Sequence, residues 1–237
     1  MQIPLHADMI MKELSAHGHQ AYAVGGCVRD SLLGLIPHDW DICTSATPGQ
    51  VCECLSGRWR ISATGIRHGS VTASADGVPP IEITSFRADG SYSDSRHPDQ
   101  VRFVKSLRVD LARRDFTMNA LAYAPDAGLI DYFGGESDLR AGLIRAIGDP
   151  STRFQEDALR IMRALRFAAT YSFELETGTA AAARAHAGRL AVIAPERIKP
   201  EFFKLLAGAG AAAALSTCPS AITAFLPEIL PLLPETG

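Results

Sequence analysis

Much of the first information lies in what this sequence has little of. Aromatic residues make up only 7% of 237, the cysteines number five, and the formal net charge is only −3. An odd cysteine count does not suit a disulfide framework. Cys52 and Cys54 stand one residue apart, which is not a zinc-ligand spacing, and no second pair follows, so free thiols in a reducing cytosol are expected. The slight negative charge argues against a broad electrostatic clamp on nucleic acid and leaves local basic patches open. No apolar run is long enough to span a bilayer. The opening "MQIPLHADMIMKEL" lacks a basic stretch followed by an apolar one, so a secretory signal is not expected. A soluble, cytoplasmic protein with no membrane partner is the expectation, and a monomer is the working oligomeric state.

What is present points to a packed core. Hydrophobic residues are 47% of the chain. Up to about Ile147, short β-branched runs alternate with turn residues. Ala21–Val24, Trp40–Thr44, Ser70–Ala75, Pro80–Phe86 and Leu129–Phe133 read as strands. "ADGVPP" is a hairpin-like turn, and "HADMIMKELSAHG" is a helix ended by Gly18. "DLARRDFTMNALAY" (Asp110–Tyr123) reads as a helix or a loop entering one. After Asp149-Pro150 the chain turns to alanine, leucine and arginine. Ser151–Tyr171 reads as one long helix, with Leu159, Met162, Leu165 and Ala169 at helical spacing. Thr177–Leu190 and Ala194–Gly208 follow as helices, the last with Pro200 expected near its first turn. "AGAGAAAALS" reads as a loose helix or a linker. The fold class is α+β, with a mixed layer first and helices after it.

Chemistry concentrates in "VGGCVRDSLLGLIPHDWDICTS" (Val24–Ser45). Residues two apart on a strand share a face, so Asp39 and Asp41 project together while Trp40 and Ile42 turn inward. Two carboxylates this close repel, and one holds its proton unless a cation joins them. Magnesium is bound by one or two carboxylates with substrate phosphates. From the pair alone, a solvated strand end reads as well. The Gly25-Gly26 turn lets backbone approach an anion at a helix start. Arg29 in the first turn opposes the helix dipole unless it faces that same anion; a pairing with Asp30 is the plainer alternative. Together these features suggest a polyphosphate carrying magnesium.

Three further clusters stand out. Asp110, Arg113, Arg114, Asp115 and Asn119 gather in one segment, where Arg114 suits bidentate phosphate contact; a salt-bridged surface helix fits equally. In "EDALRIMR", Asp157 and Arg160 lie three apart on one helix face. They could read a nucleobase edge, since a carboxylate accepts from an exocyclic amine. An ordinary Glu156–Arg160 ion pair is the plainer reading. The polar segment Phe86–Phe103 suits an active-site flap or a plain surface insertion.

Taken in order, "GGCVRDSLLG…HDWDICTSATP", "IEITSFRADGSYSDSRHPDQVRF", "RRDFTMNALAY", "GDPSTRFQEDALRIMRALRFAA" and "PERIKPEFFKLL" resemble the bacterial class II tRNA nucleotidyltransferases. These are the CCA-adding enzymes, with their CC-adding, A-adding and poly(A) polymerase relatives. The resemblance implies a nucleotidyltransferase head over residues 1–147 and a helical neck over 148–210. Residues 211–237 would be a remnant or the start of a body domain. It implies Asp39 and Asp41 as catalytic, metal-binding carboxylates for two magnesium ions. It implies Gly26, Arg29 and Arg114 as contacts to the triphosphate of CTP or ATP. Asp157 and Arg160 become the base-selecting pair, with Arg163 and Arg166 further along the same nucleotide-binding motif. The implied partner is a tRNA 3′ end, extended by CCA with pyrophosphate release. An A-adding enzyme and a non-catalytic binding remnant are the alternatives. Glu82 is a lesser candidate for a supporting carboxylate. The ending "AITAFLPEILPLLPETG" resembles the run-in to a body domain, and a weak grip on tRNA is expected.

Overall fold

Short apolar runs bounded by turn residues do form strands, as their alternation predicts. The structure is a computed structural model that describes residues 1–66, 69–90 and 101–228. They fall into two compact units, one reaching Ser137 and the other starting at Asp138.

The first unit contains α1 (Leu5–Ala16), β1 (Ala21–Val24), α2 (Gly26–Leu32), β2 (Asp41–Thr44), α3 (Pro48–Leu55), β3 (Arg60–Ser62), β4 (Ser70–Ala75), β5 (Val78–Ser85), β6 (Arg87–Asp89), β7 (Val101–Phe103), α4 (Leu107–Ala112), β8 (Leu121–Ala124) and β9 (Gly128–Asp131). Seven of these strands make one sheet in the order β3-β4-β5-β2-β1-β8-β9. Only β2 and β5 run parallel; every other neighbour is antiparallel. This is the mixed sheet anticipated. Ala23, Ile42, Ile81 and Ile83 are buried on one face. Helices α1, through Ile10 and Leu14, and α3, through Val51 and Leu55, supply the buried partners of this layer. Thr47 starts α3 by a capping box with Gln50, which satisfies two otherwise orphaned amides. Strand alternation sends Tyr22, Asp41, Cys43 and Glu82 to the opposite face.

The chain leaves this unit through α5 (Gly135–Ala141) and continues with β10 (Leu143–Ile144), α6 (Pro150–Glu156), α7 (Leu159–Tyr171), β11 (Glu174–Leu175), α8 (Thr177–His186), α9 (Pro195–Leu206), α10 (Ala211–Thr217) and α11 (Pro219–Thr223). Strand β10 pairs with β11. Helix α7 is the spine of this unit, burying Ile161, Met162, Ala164 and Leu165. At Gly208 the chain after α9 comes so close that a β-carbon would sit 2.5 Å from the Ala169 carbonyl carbon. Only glycine permits that approach.

Three expectations need correction. Asp110–Tyr123 is not a helix throughout: α4 ends at Ala112, a 3₁₀ turn covers Thr117–Asn119, and Leu121–Ala124 is strand. Helix-forming Leu and Ala yield there because β8 fills the slot between β1 and β9, where tertiary pairing outweighs propensity. The helix expected over 151–171 is broken at Asp157, whose backbone is extended at φ −149° and ψ 105°. Its carboxylate accepts the Leu159 N–H at 3.0 Å, a side-chain-to-backbone bond that competes with the helical ladder. Pro200 lies inside α9 rather than near its first turn. The ends of the Phe86–Phe103 segment pair as β6 and β7; its residues 91–100, Arg67 and His68, and residues 229–237 lie outside the described ones.

Candidate functional site

Strand β1 ends in the Gly25-Gly26 turn, and β2 begins beside it at Asp41, because Ala23 pairs with Ile42. Gly25 has φ +76° and ψ −125° and accepts the Arg29 N–H through its carbonyl at 3.0 Å, so it starts α2 from a conformation closed to other residues. A β-carbon on Gly25 would also stand 3.1 Å from Arg114 Nη1. The turn and the second arginine are therefore in contact.

Trp40 is buried, while Asp39 and Asp41 are both exposed; β2 begins only at Asp41, so Asp39 stands on the segment before the strand rather than within it. Across the parallel pair, Asp41 stands opposite Glu82, so three carboxylates gather at this end of the sheet. Asp41 keeps one side open to solvent, but protein packed around its carboxyl disfavours the charge. Desolvation comes first, followed by Glu82 and, after the opposing pull of Arg114, Asp39; together they push Asp41 up to about 6. Among the described residues no three His, Cys, Asp or Glu side chains converge closely enough to hold a metal unaided. Magnesium does not need three; one or two carboxylates suffice when phosphate and water complete the shell. The donor chemistry of Asp39 and Asp41 fits that ion.

The arginines are held from beneath. Arg29 is 8% exposed. It donates through Nε to Asp30 Oδ1 at 2.8 Å and through Nη1 to Asn119 Oδ1 at 2.6 Å. The plain Arg29–Asp30 pairing is therefore present, and a β-carbon on Gly26 would still lie only 3.5 Å from Arg29 Nη2. Arg114 Nη2 lies 3.4 Å from Asp110 Oδ2, and Arg113 Nε lies 3.0 Å from Asp110 Oδ1. Asp110 is 0% exposed. Asp110 and Asn119 were visible in sequence only as members of a polar cluster. The arginines three and four places after Asp110 were the available signal. The thiols of Cys27 and Cys43, pushed up by burial, are not poised for chemistry.

In the second unit, Asp157 and Arg160 do not share a continuous helix face. Asp157 Oδ2 accepts from Arg197 Nη2 at 2.7 Å. Arg160 Nη1 donates to Glu156 Oε2 at 2.5 Å and to the Arg153 carbonyl at 3.1 Å. The plain Glu156–Arg160 pair thus exists, and Asp157 has a separate partner that sequence reasoning missed. Arg166 pairs with Glu201 at 2.6 Å and stacks over Phe167 at 3.8 Å from its ring centre. Arg163 lies 3.7 Å from Glu201. All four residues foreseen in this unit are fixed by ion pairs.

The chain matches the family described as the poly A polymerase head domain over residues 21–145, and a probable RNA and SrmB-binding site of polymerase A over 172–217. It is 50% identical over 202 residues to a CCA-adding enzyme of Limosilactobacillus fermentum, covering 85% of this chain and 50% of that protein. The CCA-adding enzyme of Geobacillus thermodenitrificans is 45% identical over 228 residues, covering 96% and 52%. The chain therefore spans about half the length of the curated relatives it matches. Among solved structures, the Bacillus stearothermophilus CCA-adding enzyme in complex with CTP superposes with a TM-score of 0.85 at 41% identity, over 96% of this chain and 55% of the other. The Thermotoga maritima CCA-adding enzyme complexed with tRNA gives 0.76 at 25% identity, over 94% and 52%. Because the head-domain match takes in more than half of the chain and runs from β1 to β10, a span that contains Asp39, Asp41, Arg29 and Arg114, the chain belongs to the poly A polymerase head-domain family.

Proposed function

We propose that this chain is a template-independent nucleotidyltransferase that adds CCA to tRNA 3′ ends from CTP and ATP, working in the cytoplasm. The observation that carries the reading is the cluster of Asp39, Asp41 and Glu82 beside a glycine turn that touches Arg114. Its likeness to an enzyme solved with CTP supports the choice of nucleotide. In this reading the RNA 3′-hydroxyl attacks the α-phosphate, and pyrophosphate leaves. Gly26, Arg29 and Arg114 receive the triphosphate and neutralise its charge. Positioning and charge stabilisation supply most of the catalysis in such transfers. Asp39 and Asp41 would hold magnesium, with Glu82 supporting them. The ion supplies a stronger 3′-nucleophile and charge neutralisation at the phosphates. Residues 1–147 act as head and 148–210 as neck, and 211–237 begin a further segment.

Base choice is assigned to Asp157, at the break between α6 and α7, and to Arg160 in the first turn of α7, with Arg163 and Arg166 further along the same nucleotide-binding motif. Their ion pairs with Arg197 and Glu156 preset the position of each group. Asp157→Ala is expected to raise UTP and GTP incorporation about tenfold relative to CTP and ATP. It should leave the affinity for the triphosphate moiety within about twofold, as judged by pyrophosphate competition. An unchanged base preference would reject the assignment.

The functional reading is tested with two RNA substrates. Trimmed tRNA given CTP alone should gain two nucleotides, and tRNA ending in CC given ATP alone should gain one. Extension of only the second substrate would make the chain an A-adding enzyme. Extension of neither would overturn the reading.

A further inference from the structure

Besides Asp30, Arg29 has a support that its own helix does not provide. Asn119 lies 90 positions further along the chain, on the 3₁₀ turn before β8, and both ends of its amide are engaged. Its Oδ1 accepts from Arg29 Nη1 at 2.6 Å, and its Nδ2 donates to Asp115 Oδ1 at 2.9 Å. A guanidinium only donates and a carboxylate only accepts, so the amide has one allowed orientation. Asp115 is fixed in turn, because the same Oδ1 accepts the Phe116 N–H at 2.8 Å. Asn119 is 7% exposed and Asp115 is 8% exposed. A buried, fully specified polar chain of this kind holds each member in one geometry. Asp115 orients Asn119, and Asn119 orients Arg29 against the Gly26 backbone.

The chemistry of the link matters as much as its geometry. Asp30 already gives Arg29 a full counter-charge. A carboxylate at position 119 would supply a second and leave the guanidinium less attractive to phosphate. An amide fixes the plane of the guanidinium without adding negative charge. We infer that Asn119 is a positioning residue for nucleotide binding: it presents the Arg29 guanidinium, still electropositive, to the triphosphate of the incoming CTP or ATP. This rests on the proposed function, since the anion in question is the nucleotide.

The test is a double-mutant cycle on CTP binding at equilibrium with no RNA present, paired with a melting curve for each variant. The wild-type chain should bind CTP. Asn119→Ala should weaken binding about tenfold, Arg29→Ala at least as much, and adding Asn119→Ala to Arg29→Ala should cost nothing more. Asn119→Asp, which preserves size, should also weaken binding, and raised salt should not restore it. If Asn119→Ala costs the same factor with and without Arg29, its role is a general structural one and the inference fails. It fails equally if Asn119→Asp binds CTP as the wild type does; this second variant decides the matter if the alanine variant does not fold. A wild-type chain that binds no CTP would overturn the functional reading itself, a result distinct from either of these.

Discussion

Asp41→Asn is expected to abolish nucleotide addition and yet to raise the melting temperature of the metal-free protein at pH 8. The loss of activity follows from the proposed role of the carboxylate in holding magnesium beside the reacting phosphate; a drop of about a thousandfold or more is expected for removing a charge aimed at the transition state. The gain in stability follows from crowding. Asp41 is pushed up to about 6 by desolvation and then by Glu82, whereas in the unfolded chain it titrates at about 3.9. The folded state therefore binds this proton more tightly than the unfolded one does. Its stabilising contribution is complete below about pH 4, declines as pH rises through 6, and is absent at pH 8. The neutral amide removes that pH-dependent loss. Because Asp41 is open to solvent on one side, screening limits the gain to about 2–4 °C. At pH 4 the two proteins should melt together. Retained activity would refute the metal assignment, and a lower melting temperature at pH 8 would refute the crowding.

The second large effect is expected at Asp110. Its carboxylate is fully buried and accepts from the Arg87 N–H at 3.1 Å and from Arg113 Nε at 3.0 Å, with Arg114 Nη2 at 3.4 Å. Asp110→Ala removes the common anchor of two arginines, and breaking a buried ion pair by deleting one partner costs about 3–5 kcal/mol. Urea unfolding should show that loss as a lower midpoint. Asp110→Asn keeps the shape and should fold, but CTP binding should weaken because Arg114 is held less firmly beside Gly25. Asp8→Ala is the control. It deletes one carboxylate from the Lys12 pair, whose lysine is 74% exposed, and such surface pairs contribute about 0–1 kcal/mol. If Asp110→Ala costs no more than this control, Asp110 does not anchor the arginines.

How much of this was readable beforehand depends on whether the cause was local. Strand β1 and helix α1 follow directly from their apolar spacing. The outward Asp41 next to the buried Ile42 needs only the two-residue period of a strand, whereas Asp39 lies before β2 and is near Asp41 without sharing the strand. Strand β8 escaped because "LAYA" has helical propensity and becomes strand only between β1 and β9. The break at Asp157 escaped because apolar spacing continues through it, while one carboxylate diverts the backbone by bonding Leu159 N–H. The site follows the same division. The glycine turn and the aspartates are neighbours in sequence. The Asp41–Glu82 pairing depends on strand register, and the Arg29–Asn119 contact joins residues 90 apart. Neither leaves a periodic trace.

The most direct test of the central claim is to incubate the chain with magnesium, all four nucleoside triphosphates and a tRNA lacking its last three nucleotides, and then to sequence the 3′ ends. The result expected is C, C and A in that order, followed by a stop, with one pyrophosphate released per nucleotide and none from an Asp39→Ala protein. Unextended tRNA at every RNA concentration, or tails that continue past the A or contain U and G, would contradict it.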